Sequence, residues 1–147
     1  MPLDIPRSSF SHGTAQDNKE SKRIDLVRQT IREGQAKFRR DLLEYYGGAC
    51  LISGVKIPQV VEAAHIAPYD GADSNSLQNG LLLRVDLHRL FDFYLLGIEP
   101  DTLKVHIINS VDEYRHMNGR PLENSKKIAA SRHLLDRRWI QFTRQRR

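Results

Sequence analysis

Two histidines, an asparagine and an aspartate occur in order in the middle of this 147-residue chain, at His65, Asn79, His88 and Asp92. Histidine is suited to proton transfer because its unperturbed pKa, about 6.5, lies close to physiological pH. Histidine and carboxylate together suit a borderline or hard divalent cation. Hydrolysis of a phosphodiester requires an activated water and a positive charge near the phosphate. These four residues therefore indicate metal-assisted phosphodiester hydrolysis.

The spacing of His88 and Asp92 gives the strongest positional argument. They lie four residues apart in a segment that is predicted to be a helix, with an N-cap at Asp86 and an end near Phe93. Residues at this spacing share one face of a helix. One metal ion could therefore contact both side chains.

Each of the four residues also has a simpler interpretation. A histidine at the end of a strand, such as His65, is commonly structural, and Asn79 precedes a glycine as in an ordinary turn. Asp92 could cap its helix or pair with Arg89. Only the ordered set, with a strand, a loop and a helix in matching places, favours the chemical interpretation.

Composition limits the classes of protein and partner. The formal net charge is +5 and the pI is near 9.6, which favours a polyanionic partner. The single cysteine, Cys50, excludes an internal disulfide framework. No stretch approaches the roughly 18 apolar residues of a membrane span, and the first residues lack a secretory signal pattern. We therefore expect a cytoplasmic protein that does not enter membranes, and secretion by a route that needs no N-terminal signal stays open.

Hydrophobic periodicity predicts an α+β fold, with strands in the middle of the chain and helices on both sides. Residues 1–18 are predicted to be a flexible leader, and residues 19–147 a single domain. Gly34 is expected to separate two N-terminal helices. The predicted helices cover about 19–32, 36–45, 86–93 and 125 or 131 to 145, and the predicted strands cover 49–52, 60–66, 81–84, 94–99 and 103–108.

The region from about residue 35 to residue 107 resembles an HNH endonuclease domain, with a motif core at about 49–93. The resemblance rests on four segments, which read F-R-R-D-L-L-E from Phe38, G-G-A-C from Gly47, E-A-A-H-I-A-P from Glu62 and N-G-L-L-L-R-V-D-L-H-R-L-F-D from Asn79. It implies a ββα-metal core, to which the flanking helices and an additional β-hairpin are added.

The resemblance also implies a role for each residue of the set. His65 is the expected general base, and Asn79 is expected to hold the loop so that His65 keeps its orientation. His88 and Asp92 are the expected metal ligands. The expected ion is a single Mg²⁺, with Mn²⁺ or Ni²⁺ as substitutes.

The implied activity is hydrolysis of double-stranded DNA, in restriction or in defence against foreign DNA. Arg84 and Arg89 flank the proposed metal and are expected to bind phosphate. The protein could act alone, as a homodimer or with a specificity subunit. Three alternatives stay open at this stage: a non-catalytic nucleic-acid-binding module, an RNase, and a protein that holds an ion only for folding.

The chain departs from the family pattern in two places. Many HNH enzymes place a metal ligand directly before the base, and this chain has Ala64 there. Glu62 and Asp86 are the nearest substitutes, although strand alternation places Glu62 on the face opposite to His65 unless a bulge intervenes. Cys50 has no C-x-x-C partner, so no structural zinc is expected.

Overall fold

The computed structural model describes residues 13–128 and 132–145, and it has the predicted α+β architecture. The elements in chain order are α1 (Ala15–Tyr46), β1 (Val61–His65), β2 (Gly80–Arg84), α2 (Val85–Asp92), β3 (Leu96–Ile98), β4 (Val105–Ile107), α3 (Ser125–Ile128) and α4 (Arg132–Gln145). Two compact units can be distinguished, residues 1–33 and residues 34–147. None of the helices in the described ranges is both long enough and apolar enough to cross a bilayer.

Helix α1 is continuous, so the predicted break at Gly34 is wrong. A glycine inside a helix costs about 1 kcal/mol relative to alanine, and good helix formers on both sides can offset that cost. A Cβ at position 34 would lie 3.2 Å from Nδ2 of Asn75, so the small residue leaves room for this side chain. The helix also begins within the predicted leader, at Ala15, while residues 1–12 lie outside the described part of the chain.

Strands β1 and β2 form an antiparallel hairpin, paired from Val61 with Arg84 to His65 with Gly80 in five successive pairs. Helix α1 packs closely on this hairpin, since a Cβ at Gly80 would lie 2.6 Å from Cδ1 of Leu42. Helix α2 follows β2 directly and contacts both strands, which completes a ββα unit.

Helix α2 begins two residues earlier than an N-cap at Asp86 predicts, because Arg84 is its N-cap residue. Asp86 lies in the first turn, where a carboxylate interacts favourably with the positive end of the helix dipole. Its side chain bonds to that of Arg84. The expected cap at Asp86 is therefore wrong, although the residue still favours this end of the helix.

The predicted strand at residues 49–52 is absent, and the chain forms buried turns there instead. Cys50 donates its backbone N–H to Val55 at 2.9 Å, which closes a turn, and Leu51 donates to the carbonyl of Leu82 at 2.9 Å. Both side chains are fully buried. A short apolar run indicates burial, but its periodicity alone does not determine whether the backbone is extended.

A second antiparallel hairpin, β3 with β4, lies against α4. A Cβ at Gly97 would lie 2.4 Å from Cδ1 of Phe142, so this glycine permits close contact between strand and helix. Both strands lie within their predicted ranges and are shorter. In the region of the predicted C-terminal helix, the described residues form α3 and α4, and residues 129–131 lie outside the described part of the chain.

Candidate active site

A cleft of about 570 Å³ brings together three of the four residues singled out from the sequence, His65, His88 and Asp92. The end of β1 supplies His65, and α2 supplies the other two. Tyr94 and Arg138 also line the cleft. An imidazole and a histidine–aspartate pair therefore open into the same space, as the sequence predicted.

The ring of His65 is held in place by two aromatic rings and one amide. Phe38 stacks on it with centroids 4.4 Å apart, and Tyr69 contacts it edge-on at 5.8 Å. Nε2 lies 2.8 Å from Oδ1 of Asn75. Because this oxygen can only accept, Nε2 carries the proton and Nδ1 keeps a lone pair. Nδ1 is thus the nitrogen that could accept a proton from water.

Asn79 is buried behind the cleft and bonds to both sides of the loop that follows His65. Its Oδ1 accepts from the backbone N–H of Ala67 at 2.8 Å, and its Nδ2 donates to the carbonyls of Ala67 at 3.1 Å and Ser74 at 2.8 Å. Ser74 directly precedes Asn75, the partner of His65. Asn79 therefore acts on the orientation of His65 through the backbone and not by direct contact.

His88 lies between two carboxylates. Its Nδ1 is 2.6 Å from Oε2 of Glu62, and its Nε2 is 3.1 Å from Oδ2 of Asp92. A neutral imidazole has one N–H, and donation to Glu62 leaves the Nε2 lone pair facing the carboxylate of Asp92. Two electron-rich atoms at this distance require a proton or a cation between them. Histidines that bind metals commonly donate their other N–H to a carboxylate in this way.

The chain supplies an incomplete shell for such a cation. Ala64 is fully buried and has no donor atom in its side chain. Glu62 approaches His88 without a bulge in β1, and Asp86 is bonded to Arg84. Across residues 13–128 and 132–145, no three or more His, Cys, Asp or Glu side chains are grouped so that they could hold a metal ion. His88 and Asp92 fit a divalent ion only if water or a substrate oxygen supplies the remaining ligands.

Arg138 of α4 contacts both the residue that follows β1 and the end of α2. Its guanidinium donates to the carbonyl of Ile66 and, at 3.0 Å, to that of Phe91, and it lies 3.7 Å from Oδ1 of Asp92. The side chain is 11% exposed. Burial lowers the pKa of Arg138, while Tyr94 and Asp92 oppose this effect. The sequence shows Arg138 only as one of many C-terminal arginines, and nothing in its spacing distinguishes it.

The two arginines predicted to bind phosphate do not line the cleft. Arg84 pairs with both carboxylate oxygens of Asp86, at 2.6 and 2.9 Å, and Asp86 also accepts from the hydroxyl of Tyr114 at 2.8 Å. The hydrogen bond from Arg84, with a smaller effect from Tyr114, lowers the pKa of Asp86 to about 2. Arg89 is exposed on α2.

Residues 50–99 match the family model described as HNH endonuclease. The matched segment contains β1, β2, α2 and β3, and with them His65, Asn79, His88 and Asp92. The match confirms the resemblance of this region to the HNH endonuclease family, and α1 and α4 lie outside it. No curated protein matches the chain.

Proposed function

We propose that this protein is a divalent-metal-dependent endonuclease that hydrolyses the phosphodiester bonds of DNA. The observation that carries the proposal is the shared cleft, in which His65 and the pair of His88 and Asp92 open into one space. The family match supports a nuclease, and the net charge of +5 supports a polyanionic substrate.

His65 is the general base of this proposal. Asn75 accepts from Nε2, so that Nδ1 can take a proton from the attacking water. Stacking on Phe38 and the loop bonds of Asn79 restrict the ring to one orientation. A base that is already oriented raises the reaction rate, because the entropy cost of orienting it was met when the protein folded.

His88 and Asp92 would hold the metal ion. A divalent ion there would act as a Lewis acid that offsets charge on the phosphate and on the leaving 3′ oxygen. Glu62, 2.6 Å from Nδ1 of His88, would keep the proton on that nitrogen and leave Nε2 free to bind the ion. Mg²⁺ is the expected ion, with Mn²⁺ or Ni²⁺ as substitutes, because oxygen atoms must complete the shell.

Double-stranded DNA is the substrate that we favour, and the products are a 5′-phosphate and a 3′-hydroxyl. The cellular role that follows from the resemblance is restriction or defence against foreign DNA. Specificity would then come from a second copy of the chain, from a partner subunit or from DNA shape. Arg89, exposed on α2, is the one of the two predicted phosphate-binding arginines that remains available to a substrate.

The test is cleavage of supercoiled plasmid in the presence of Mg²⁺ or Mn²⁺. We expect wild-type protein to nick or linearise the plasmid, and His65→Ala to be slower by about 10²- to 10⁴-fold, the usual contribution of a general base. His116→Ala is the matched control, because His116 is exposed and contacts Tyr114 outside the cleft. Melting temperatures of the three proteins show whether the fold is kept.

Three results would replace this function with another. If wild-type protein binds the plasmid and leaves it intact with both metals, the chain is a non-catalytic nucleic-acid-binding module. If it cleaves RNA but not DNA, it is an RNase. If the metal ion serves only folding, chelation should lower the melting temperature strongly, while His65→Ala should change the melting temperature little.

A further inference from the structure

A second cavity, of about 490 Å³, adjoins the catalytic cleft. Pro68, Tyr94 and Arg138 line both spaces, so the two surfaces are continuous. Its volume falls in the range of pockets that bind small ligands and cofactors. A substrate that occupies the cleft and extends beyond it on this side must pass along the second cavity.

Helix α4 forms one wall of this cavity with His133, Arg137 and Gln141. Successive members are four residues apart, so the three share one helix face, with the Cβ atoms of neighbouring members about 5–6 Å apart. All three are exposed, and each can donate hydrogen bonds. Ile66 and Ala67, the two residues after His65, belong to the same cavity. A row of donors therefore leads away from the proposed base.

Tyr94 has an unusual backbone conformation at the junction of the two spaces. Its φ is 57°, and it occupies the position after α2 where a glycine is usual, with N–H bonds from Tyr94 to Phe91 at 3.2 Å and from Leu95 to Leu90 at 2.9 Å. A non-glycine residue is disfavoured in this conformation, and strain of this kind clusters at functional sites. The choice of tyrosine indicates that the ring has a use.

The ring of Tyr94 is positioned for stacking. The guanidinium of Arg138 lies 5.2 Å from its centroid, within the range of a cation–π contact, and fixes the ring between the two spaces. Aromatic rings of this kind stack on nucleobases without regard to sequence.

We propose that the second cavity binds the DNA strand that flanks the scissile phosphate. Arg137 contacts a backbone phosphate, His133 and Gln141 donate hydrogen bonds to the same strand, and Tyr94 stacks on a base where that strand is unpaired. This inference rests on the proposed function, and it assigns to α4, which lies outside the matched family region, the part of the substrate site beyond the metal.

Binding of labelled duplex DNA with a single-stranded flank to catalytically inactive protein tests the proposal. In a His65→Ala background, we expect Arg137→Ala to weaken binding and to reduce the slope of log K against log salt by about 1, because one phosphate contact is lost. Arg132→Ala is the matched control. It removes the same charge from an exposed position of α4 that does not line the cavity, and its slope should equal that of the parent.

Two substitutions at Tyr94 separate stacking from folding. Tyr94→Gly and Tyr94→Ala should both weaken DNA binding by about 5- to 150-fold, the range for loss of one stacked base. Tyr94→Gly should melt roughly 2–4 °C above Tyr94→Ala, because glycine adopts the left-handed conformation without strain. Equal loss of affinity in two variants of unequal stability would assign the effect to the ring.

The inference is overturned if Arg137→Ala and Arg132→Ala show the same slope, or if loss of the Tyr94 ring leaves affinity unchanged. Either result leaves the proposed function intact when wild-type protein cleaves plasmid. If wild-type protein does not cleave but the binding results are as expected, the endonuclease function is rejected and DNA binding along the second cavity is retained.

Discussion

The two ends of helix α2 carry similar residue types in different states. At its N-terminal end, which we call the closed end, Asp86 accepts hydrogen bonds from both Arg84 and Tyr114. Toward its C-terminal end, which we call the open end, His88 lies between Glu62 and Asp92, and His65, bonded through Nε2 to Asn75, opens into the same cleft.

The comparison shows why charge near a motif is a poor guide to a site. Arg84 belongs to the same motif as His88, but a guanidinium bonded to both oxygens of a carboxylate has little capacity left for a phosphate. Nε2 of His88 faces Asp92 at 3.1 Å, a contact that requires a proton or a metal ion between the two atoms. Chemistry is expected where hydrogen-bonding capacity remains unused.

The largest expected effect at the open end comes from Glu62→Gln. The amide loses the charge that keeps the proton on Nδ1 of His88, so we expect the dissociation constant for Mn²⁺ to rise by about 10- to 100-fold. Isothermal titration calorimetry measures it without any substrate. Because Glu62 is 45% exposed, the fold should tolerate the change.

Glu44→Gln on α1 provides the control for that titration, since Glu44 is exposed and does not line the cleft. Its Mn²⁺ affinity should equal that of wild type. If the Glu62 variant also binds Mn²⁺ like wild type, His88 is not oriented by Glu62, and the contrast between the two ends loses its basis.

A smaller effect is expected at the closed end, from Asp86→Asn. The folded-state pKa of Asp86, about 2, lies below its usual value of 3.8, so the carboxylate stabilises the fold above about pH 4 and loses this contribution as pH falls through 2. At neutral pH the variant should be less stable by about 1 kcal/mol at most, because Asp86 is 36% exposed and water screens the pair. Urea unfolding from pH 2 to pH 7 measures the difference.

The stability difference between wild type and Asp86→Asn should shrink toward pH 2, while Asp112→Asn, which alters an exposed surface pair, should show little dependence. Plasmid cleavage by Asp86→Asn at neutral pH should stay within about twofold of wild type. A loss of cleavage as large as that expected for His65→Ala would place Asp86 in the catalytic machinery and remove the distinction between the ends.

The parts of the site that the sequence predicted are those set by local geometry. His88 and Asp92 share a helix face because of their spacing, and His65 lies at a strand end because of the apolar run before it. Asn75 and Arg138 could not be found in this way. A loop brings Asn75 to His65, and helix α4 brings Arg138, 46 positions beyond Asp92, to the cleft.

The errors in the predicted fold have a similar origin. Gly34 was expected to end a helix, yet the packing of Asn75 against it makes a small residue suitable inside that helix. Residues 49–52 are buried as their apolar character indicates, and contacts with β2 and with Glu123 determine that they form turns. Local pattern predicts burial, whereas tertiary contacts decide the backbone path.

The central claim, that the open end of α2 holds a metal ion, is tested most directly by anomalous diffraction from crystals soaked in Mn²⁺. We predict one anomalous peak within about 2–2.5 Å of both Nε2 of His88 and an Oδ atom of Asp92, on the side of the cleft that His65 faces. The peak should vanish in His88→Ala crystals. A peak at Asp86, or none in the cleft at saturating Mn²⁺, would contradict the account.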